Sequence, residues 1–292
     1  MFRNRNSALL AVTLLAGSLG TTVAASNNST GSDSGERSAA SLAKSDPSSR
    51  RSGSTWKTFN TPIGRGTKIV VTTAGNIDTF TSPNQAGASY QHVYSEGYVL
   101  CYSGQTTPAY DVGVGEESSG FASPTTSASA VMRNTLDGRV TLTQTFALKP
   151  ENATGPTNFA VTMTLKNRTS SPLTNVVLRR QVDFDLDSWG PQGWANAVSN
   201  HSRTKATVTA FHDPVEAPSG REAHGIMIMN TSPGNWDTRV TSDYNDNTCN
   251  PAAAPLGSGY VSRGDYGDTV IFKVGTIPGN GSKTVALRYI RF

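Results

Sequence analysis

The sequence predicts an all-β fold, a large antiparallel sandwich of two sheets carrying one disulfide. Three observations carry that prediction. Apolar residues recur with period two along most of the chain, and helical periodicity is nearly absent after residue 25. Short Gly, Pro, Asn and Asp turn signals separate the alternating runs. The runs number roughly a dozen, too many for one open sheet, so two packed sheets are expected.

The chain opens on a different pattern. Arg3 and Arg5 form a basic start, and Ala8 to Gly20 is an apolar run too short to span a bilayer. Val23-Ala24-Ala25 then supplies small residues at a cleavage position. Residues 1–25 are therefore expected to be a signal peptide, and the protein to be secreted or periplasmic, outside the cytoplasm. Residues 26–55 hold Ser, Gly, Ala and mixed charges with one Leu and no aromatic residue. Such a stretch cannot bury enough apolar surface to offset its ordering entropy. It is expected to be a disordered tether or a pro-segment. Residues 56–292 suit one all-β domain, since sandwiches reach roughly 200–250 residues as single units.

Charge narrows the partners. The formal net charge is +4 and falls to +2 once Arg3 and Arg5 leave with the leader. Lysines and arginines are scattered, so nucleic acid is excluded as a partner. No apolar run long enough to span a membrane follows the leader.

The strands follow in order. Residues 68–73 and 77–81 flank Ala74-Gly75-Asn76, and residues 131–136 and 139–148 flank Asp137-Gly138, a pair favoured in tight hairpins. In 139–148, Val140, Leu142, Phe146 and Leu148 share one face while Thr141, Thr143 and Thr145 take the other. In 157–166, Phe159, Val161, Met163 and Leu165 alternate with polar residues. Ser170-Ser171-Pro172 precedes 173–187, and Pro278-Gly279-Asn280-Gly281 separates 268–276 from 283–292. Links this short predict antiparallel neighbours. Gly225 to Met229 is apolar on both faces and should be a central, doubly covered strand. Residues 103–130, rich in Gly, Ser, Thr and Pro, should hold long loops.

The chemistry concentrates in 176–187. Val176, Leu178, Val182, Phe184 and Leu186 make a core face interrupted only by Arg180. Arg179, Gln181, Asp183, Asp185 and Asp187 make a polar face, its aspartates spaced about 6.5–7 Å apart. Three like charges in register repel unless neutralised. A hard cation, Ca²⁺, is one candidate, with Asp183, Asp185 and Asp187 as ligands. Arginines from neighbouring strands, or water, are the other. Trp189 and Trp194 follow at once in a Gly/Pro-rich loop, and Trp236 sits in a similar context. Tryptophan beside Asp and Asn suits a sugar, the ring stacking on its apolar face; the same rings could instead cap the ends of the core.

His92, His201, His212 and His224 show no metal-ligand spacing; His92 and Glu96 lie four apart on one strand side. Nucleophile elbows, zinc-protease helices, phosphate loops and C-x-x-C pairs are absent. A paired-carboxylate glycosidase would draw on Glu96, Asp111, Glu116, Glu117 or the aspartates of 183–187. Cys101 and Cys249, in an exported chain, are expected to pair.

The progression through 158–167 (NFAVTMTLKN), 172–187 (PLTNVVLRRQVDFDLD), 224–228 (HGIMI) and 268–285 (DTVIFKVGTIPGNGSKTV) resembles secreted β-supersandwich proteins of the galactose mutarotase-like kind. That resemblance implies a supersandwich with a concave, sugar-facing sheet. The mutarotases use a His and Glu pair in that cleft. Neither maps onto a matching motif here, so the catalytic residues stay unknown.

The expectation is a secreted, non-catalytic domain binding an oligo- or polysaccharide through Arg179, Gln181, Trp189, Trp194 and Trp236. A carbohydrate-active enzyme, cation-dependent or not, is the first rival. A structural or protein-interaction domain is the second.

Overall fold

The computed structural model describes residues 54–61, 66–83, 89–112, 117–149, 158–184, 186, 199–204, 206–212, 224–241, 247–254, 261–264 and 266–291. The expected leader, and the expected tether up to residue 53, lie outside them. Among the described residues there are strands and no helix. The first are β1 (Thr55–Asn60), β2 (Lys68–Thr72), β3 (Ile77–Pro83), β4 (Ser89–Gln91), β5 (Val93–Cys101), β6 (Ala109–Val112) and β7 (Glu117–Ser119). Next come β8 (Thr125–Thr126), β9 (Val131–Asn134), β10 (Val140–Lys149), β11 (Asn158–Asn167) and β12 (Leu173–Phe184). The chain continues through β13 (Ser199–Arg203), β14 (Thr207–His212), β15 (His224–Asn230) and β16 (Trp236–Thr241), then β17 (Val261–Gly264), β18 (Gly267–Ile277) and β19 (Ser282–Arg291).

They form three antiparallel sheets where two were expected. One has nine strands in the order β17-β13-β14-β15-β19-β11-β10-β9-β8. Another has six, β16-β18-β12-β5-β6-β7, and the third has four, β1-β2-β3-β4. The two large sheets face each other across one core, where Leu100, Leu178 and Phe272 of the six-stranded sheet join Val161, Ile228 and Leu287 of the nine-stranded one. Phe184 meets Tyr289 edge-on across it at 6.5 Å. In the small sheet β1 carries apolar residues at only two positions. Trp56 and Phe59 close over Phe146 and Phe159, at 5.6 and 5.1 Å, while the rest of β1 is exposed.

Period two holds at side-chain level. On β10 the core side is Val140, Leu142 and Gln144, while Thr141, Thr143 and Thr145 face outward. The Ala74-Gly75-Asn76 and Asp137-Gly138 links are hairpin turns, joining β2 to β3 and β9 to β10. The other two short links are not. Ser170–Pro172 and Pro278–Gly281 each carry the chain from one large sheet to the other. A turn signature marks a reversal, and a reversal between stacked sheets needs no more residues than one within a sheet. The two corners lock together at one end of the sandwich. The Asn167 amide reaches Ser171, Ile277 and Pro278 carbonyls at 2.8, 3.2 and 3.0 Å, and Asn280, at φ 54°, donates its N–H to Thr169.

β15 also differs from expectation. It lies inside the nine-stranded sheet with Ile226 and Ile228 in the core, but Met227 and Met229 are only half-buried, so its outer face is partly open. Cys101 and Cys249 form the expected disulfide, with Cα atoms 6.2 Å apart.

Candidate functional site

β12 pairs with β5 on one side and β18 on the other, which puts it near the middle of the six-stranded sheet. Its alternation gives two chemically different faces. The inner face is apolar except for Arg180, which is fully buried. Its guanidinium donates through Nε and Nη2 to the Glu96 carboxylate, the second contact at 2.9 Å. Nη1 donates to Gln144 Oε1 at 2.6 Å and Nη2 to the Gly75 carbonyl at 3.0 Å. Glu96 also accepts the Ile77 N–H at 2.8 Å and the Tyr289 hydroxyl at 2.6 Å. Every one of these partners donates to the carboxylate. Burial pushes the Glu96 carboxyl above its usual range, against the pull of Arg180, Tyr289 and the Ile77 amide. Burial likewise pushes the Tyr289 hydroxyl up, reinforced by the Glu96 charge.

The β2–β3 turn reaches into this network. Tyr98 Oη and Gln144 Nε2 donate to the Ala74 carbonyl at 2.7 and 3.2 Å. Gly75, at φ 91°, must be glycine, because a Cβ there would lie 2.2 Å from Gln144 Nε2. A second buried ion pair stands beside it. Arg133 Nη1 meets Asp111 Oδ2 at 2.6 Å, while Asn76 Nδ2 donates to Asp111 Oδ1 at 2.5 Å. Arg133 also donates to Ser118 Oγ and the Ala122 carbonyl. Glu96 and Asp111 are thus closed inside the sandwich as partners of arginines. Neither faces a surface on which a paired-carboxylate mechanism could run. Nor is Glu96 coupled to His92, whose ring nitrogen lies 2.5 Å from Ser82 Oγ.

The outer face of β12 holds Arg179, Gln181 and Asp183 in one row, with an Arg179 Nη2 to Gln181 Oε1 hydrogen bond. A cation, arginines from neighbouring strands or water were the expected neutralisers of this face. The structure buries it, with Arg179, Gln181 and Asp183 at 0%, 4% and 1% exposure. Across β18, Ile271 and Thr269 stand level with Arg179 and Gln181, and beyond them Asp237 and Arg239 of the edge strand β16 are half-buried. Arg239 Nε lies 3.3 Å from Asp237 Oδ2. On the far side Val99, Gly97 and Ser95 of β5 are the register partners.

Residues 247–254 are pinned to this sheet at several points. Cys249 is bonded to Cys101, the register partner of Val177. Arg239 Nη1 donates to the Pro251 carbonyl at 2.7 Å, the Ala254 N–H donates to Val240 at 2.8 Å, and Ala253 bridges to Thr241. The polar row is thus closed off from solvent, with a covalent anchor at one end and the half-buried Asp237 and Arg239 two strands away.

Among the sequence-predicted site residues, Arg179, Gln181 and Asp183 are brought together. Trp236 is not with them. It is the register partner of Phe272 and packs against the core, on the opposite side of the sheet. Trp189, Trp194, Asp185 and Asp187 lie outside the described residues. Strand pairing sets His212 opposite His224, a juxtaposition that their spacing in sequence did not reveal. Among the described residues no group of three or more His, Cys, Asp or Glu is placed to hold a metal ion. No helix among them is long and apolar enough to cross a membrane. Gln144 and Tyr289 were missed as network members. Gln144 carried a usable signal, a lone polar residue on the apolar face of its strand, just as Arg180 did.

No protein-family model matches the chain, and no curated protein matches it.

Proposed function

We propose that this chain is an extracellular, non-catalytic carbohydrate-binding domain whose ligand site lies at the outer face of the six-stranded sheet. One observation carries the reading: β12 sets Arg179, Gln181 and Asp183 in a single row, two strands from the more open Asp237 and Arg239. A sugar needs that mixture of donors and acceptors, plus an aromatic ring to stack on. Trp189 and Trp194 follow β12 within ten residues of Phe184 and are assigned that role. Asp183, with Asp185 and Asp187, is assigned a Ca²⁺ beneath the sugar. The engagement of Glu96 and Asp111 by buried arginines supports binding over hydrolysis.

The test is a binding screen of the secreted chain against soluble and insoluble polysaccharides, with calcium and with EDTA. Trp189→Ala should weaken binding about tenfold or more, the scale of one lost aromatic contact, at unchanged melting temperature. Loss of binding in EDTA supports the aspartates as calcium ligands. A lower melting temperature with intact binding would make the ring a core cap and end the proposal, as would failure to bind any glycan.

A further inference from the structure

We infer that the outer face of the nine-stranded sheet is a second binding surface, and that its partner is an acidic extracellular polysaccharide. The inference stands apart from the site proposed above, which belongs to the other large sheet. Its starting point is the register of three adjacent long strands. Thr143 on β10 is level with Thr164 on β11, which is level with Thr284 on β19. Thr145 and Thr162 form the next row along. All of them alternate with core residues and point outward, and Thr164 Oγ1 sits 2.9 Å from Thr284 Oγ1. Antiparallel geometry spaces such hydroxyls about 4.8 Å across strands and about 7 Å along them. The centre of the face is therefore an uncharged grid of hydroxyls and methyls, which suits a sugar polymer better than an apolar partner.

Charge selects which polymer. Lys166 lies one row to one side of the threonines, and Arg288 and Lys149 lie on the other side; all three are exposed. Lys166 also donates to the Asn280 carbonyl at the rim. No acidic side chain among the described residues stands on the strands' outer face. Among the described residues, Glu96, Asp111, Asp183 and Asp268 are all buried. Described acids that remain at least partly open, Asp78, Asp137 and Asp237, sit on β3, in the β9–β10 turn and on β16. Cations bordering a neutral hydroxyl field complement a chain of sugars that carries carboxylates, with charge steering the encounter and hydroxyls supplying the close contacts.

The experiment measures binding of the full secreted chain to polygalacturonate. Neutral dextran, and phosphatidylcholine vesicles containing phosphatidylserine, serve as comparison ligands. Wild type should bind polygalacturonate, and binding should fall steeply between about 0.05 and about 0.5 M salt as the Debye length shrinks. The Lys149→Glu, Lys166→Glu, Arg288→Glu triple variant should lose at least about tenfold in affinity with its melting temperature unchanged. Thr143→Val with Thr164→Val should lose several-fold through missing hydroxyl contacts. Trp189→Ala should leave polygalacturonate binding intact; its loss there would merge the two surfaces into one and overturn the inference. Affinity unmoved by the triple charge reversal, no binding to polygalacturonate, equal binding to dextran, or equal charge-sensitive binding to the vesicles would each overturn it as well.

Discussion

Arg179 and Arg180 are neighbours in sequence, occupy opposite faces of one strand and are both completely buried, but they are held in different ways. Arg180 points into the sandwich, where its partners come from all three sheets: Glu96 on β5, Gln144 on β10, Tyr289 on β19 and the β2–β3 turn at Gly75. Arg179 points outward and hydrogen-bonds Gln181 two residues along its own strand. That side of the sheet lies beside a segment tied down by a disulfide. A charge bonded to every layer is part of the architecture, because no movement short of unfolding releases it. Burial alone therefore does not tell the two arginines apart; the partners on the inner face come from every sheet.

Breaking the inner network should have the largest effect. Arg180→Met removes the guanidinium that faces the buried Glu96 carboxyl and leaves that acid and Gln144 without their partner, and should cost about 3–5 kcal/mol in urea unfolding. Adding Glu96→Gln should recover part of that loss, since it removes the buried acid left without its counter-charge. A cost for Arg180→Met near that of an ordinary surface change would mean the network is not structural.

Removing the tether comes next. Cys101→Ser with Cys249→Ser should cost about 2–4 kcal/mol. It should also open residues 247–254 to proteolysis while the near-ultraviolet signal of the buried tyrosines Tyr98 and Tyr289 persists below the unfolding transition. Simultaneous loss of both signals would erase the distinction between the two faces.

Arg179→Met should be milder than Arg180→Met, at about 1–3 kcal/mol, and should act on glycan binding more than on stability. An equal or larger stability loss would place Arg179 in the architecture too.

The exposed β9–β10 turn sets the baseline. Asp137 accepts hydrogen bonds from Thr135 Oγ1, the Arg139 N–H and the Tyr102 hydroxyl. Partial burial pushes its carboxyl up, but these bonds and the Arg139 charge outweigh it and hold it below the usual range. A lowered folded value means the stabilisation is present above the unfolded value of about 3.9 and is lost as pH falls through the folded one. Asp137→Ala should cost about 1 kcal/mol at neutral pH, and the two proteins should converge in stability in acid. A gap that persists unchanged in acid would locate the effect in turn geometry instead.

Much of this molecule follows from alternation alone. Period two placed Val140, Leu142, Phe159, Val161 and Leu178 toward the core and the threonines of β10 outward, because a pleated strand has only two sides. The expectation of export, together with two distant cysteines, predicted the Cys101–Cys249 bond. The row of Arg179, Gln181 and Asp183 on one strand face was legible for the same reason, as was the oddity of Arg180 on the other. What covers each face was not legible. Period two says that two sides differ, and carries no information about what packs on either, so cation, arginine and water stayed open for the outer row and its burial was not legible. Turn residues announce that the chain reverses, and only the packed structure decides whether it returns beside itself, as at Asp137-Gly138, or crosses to the facing sheet, as at Ser170–Pro172 and Pro278–Gly281. The Glu96–Arg180–Gln144–Tyr289 network joins positions up to 193 residues apart. Its members meet because the two large sheets stack face to face, and that contact is a property of tertiary packing to which no local pattern in the chain refers.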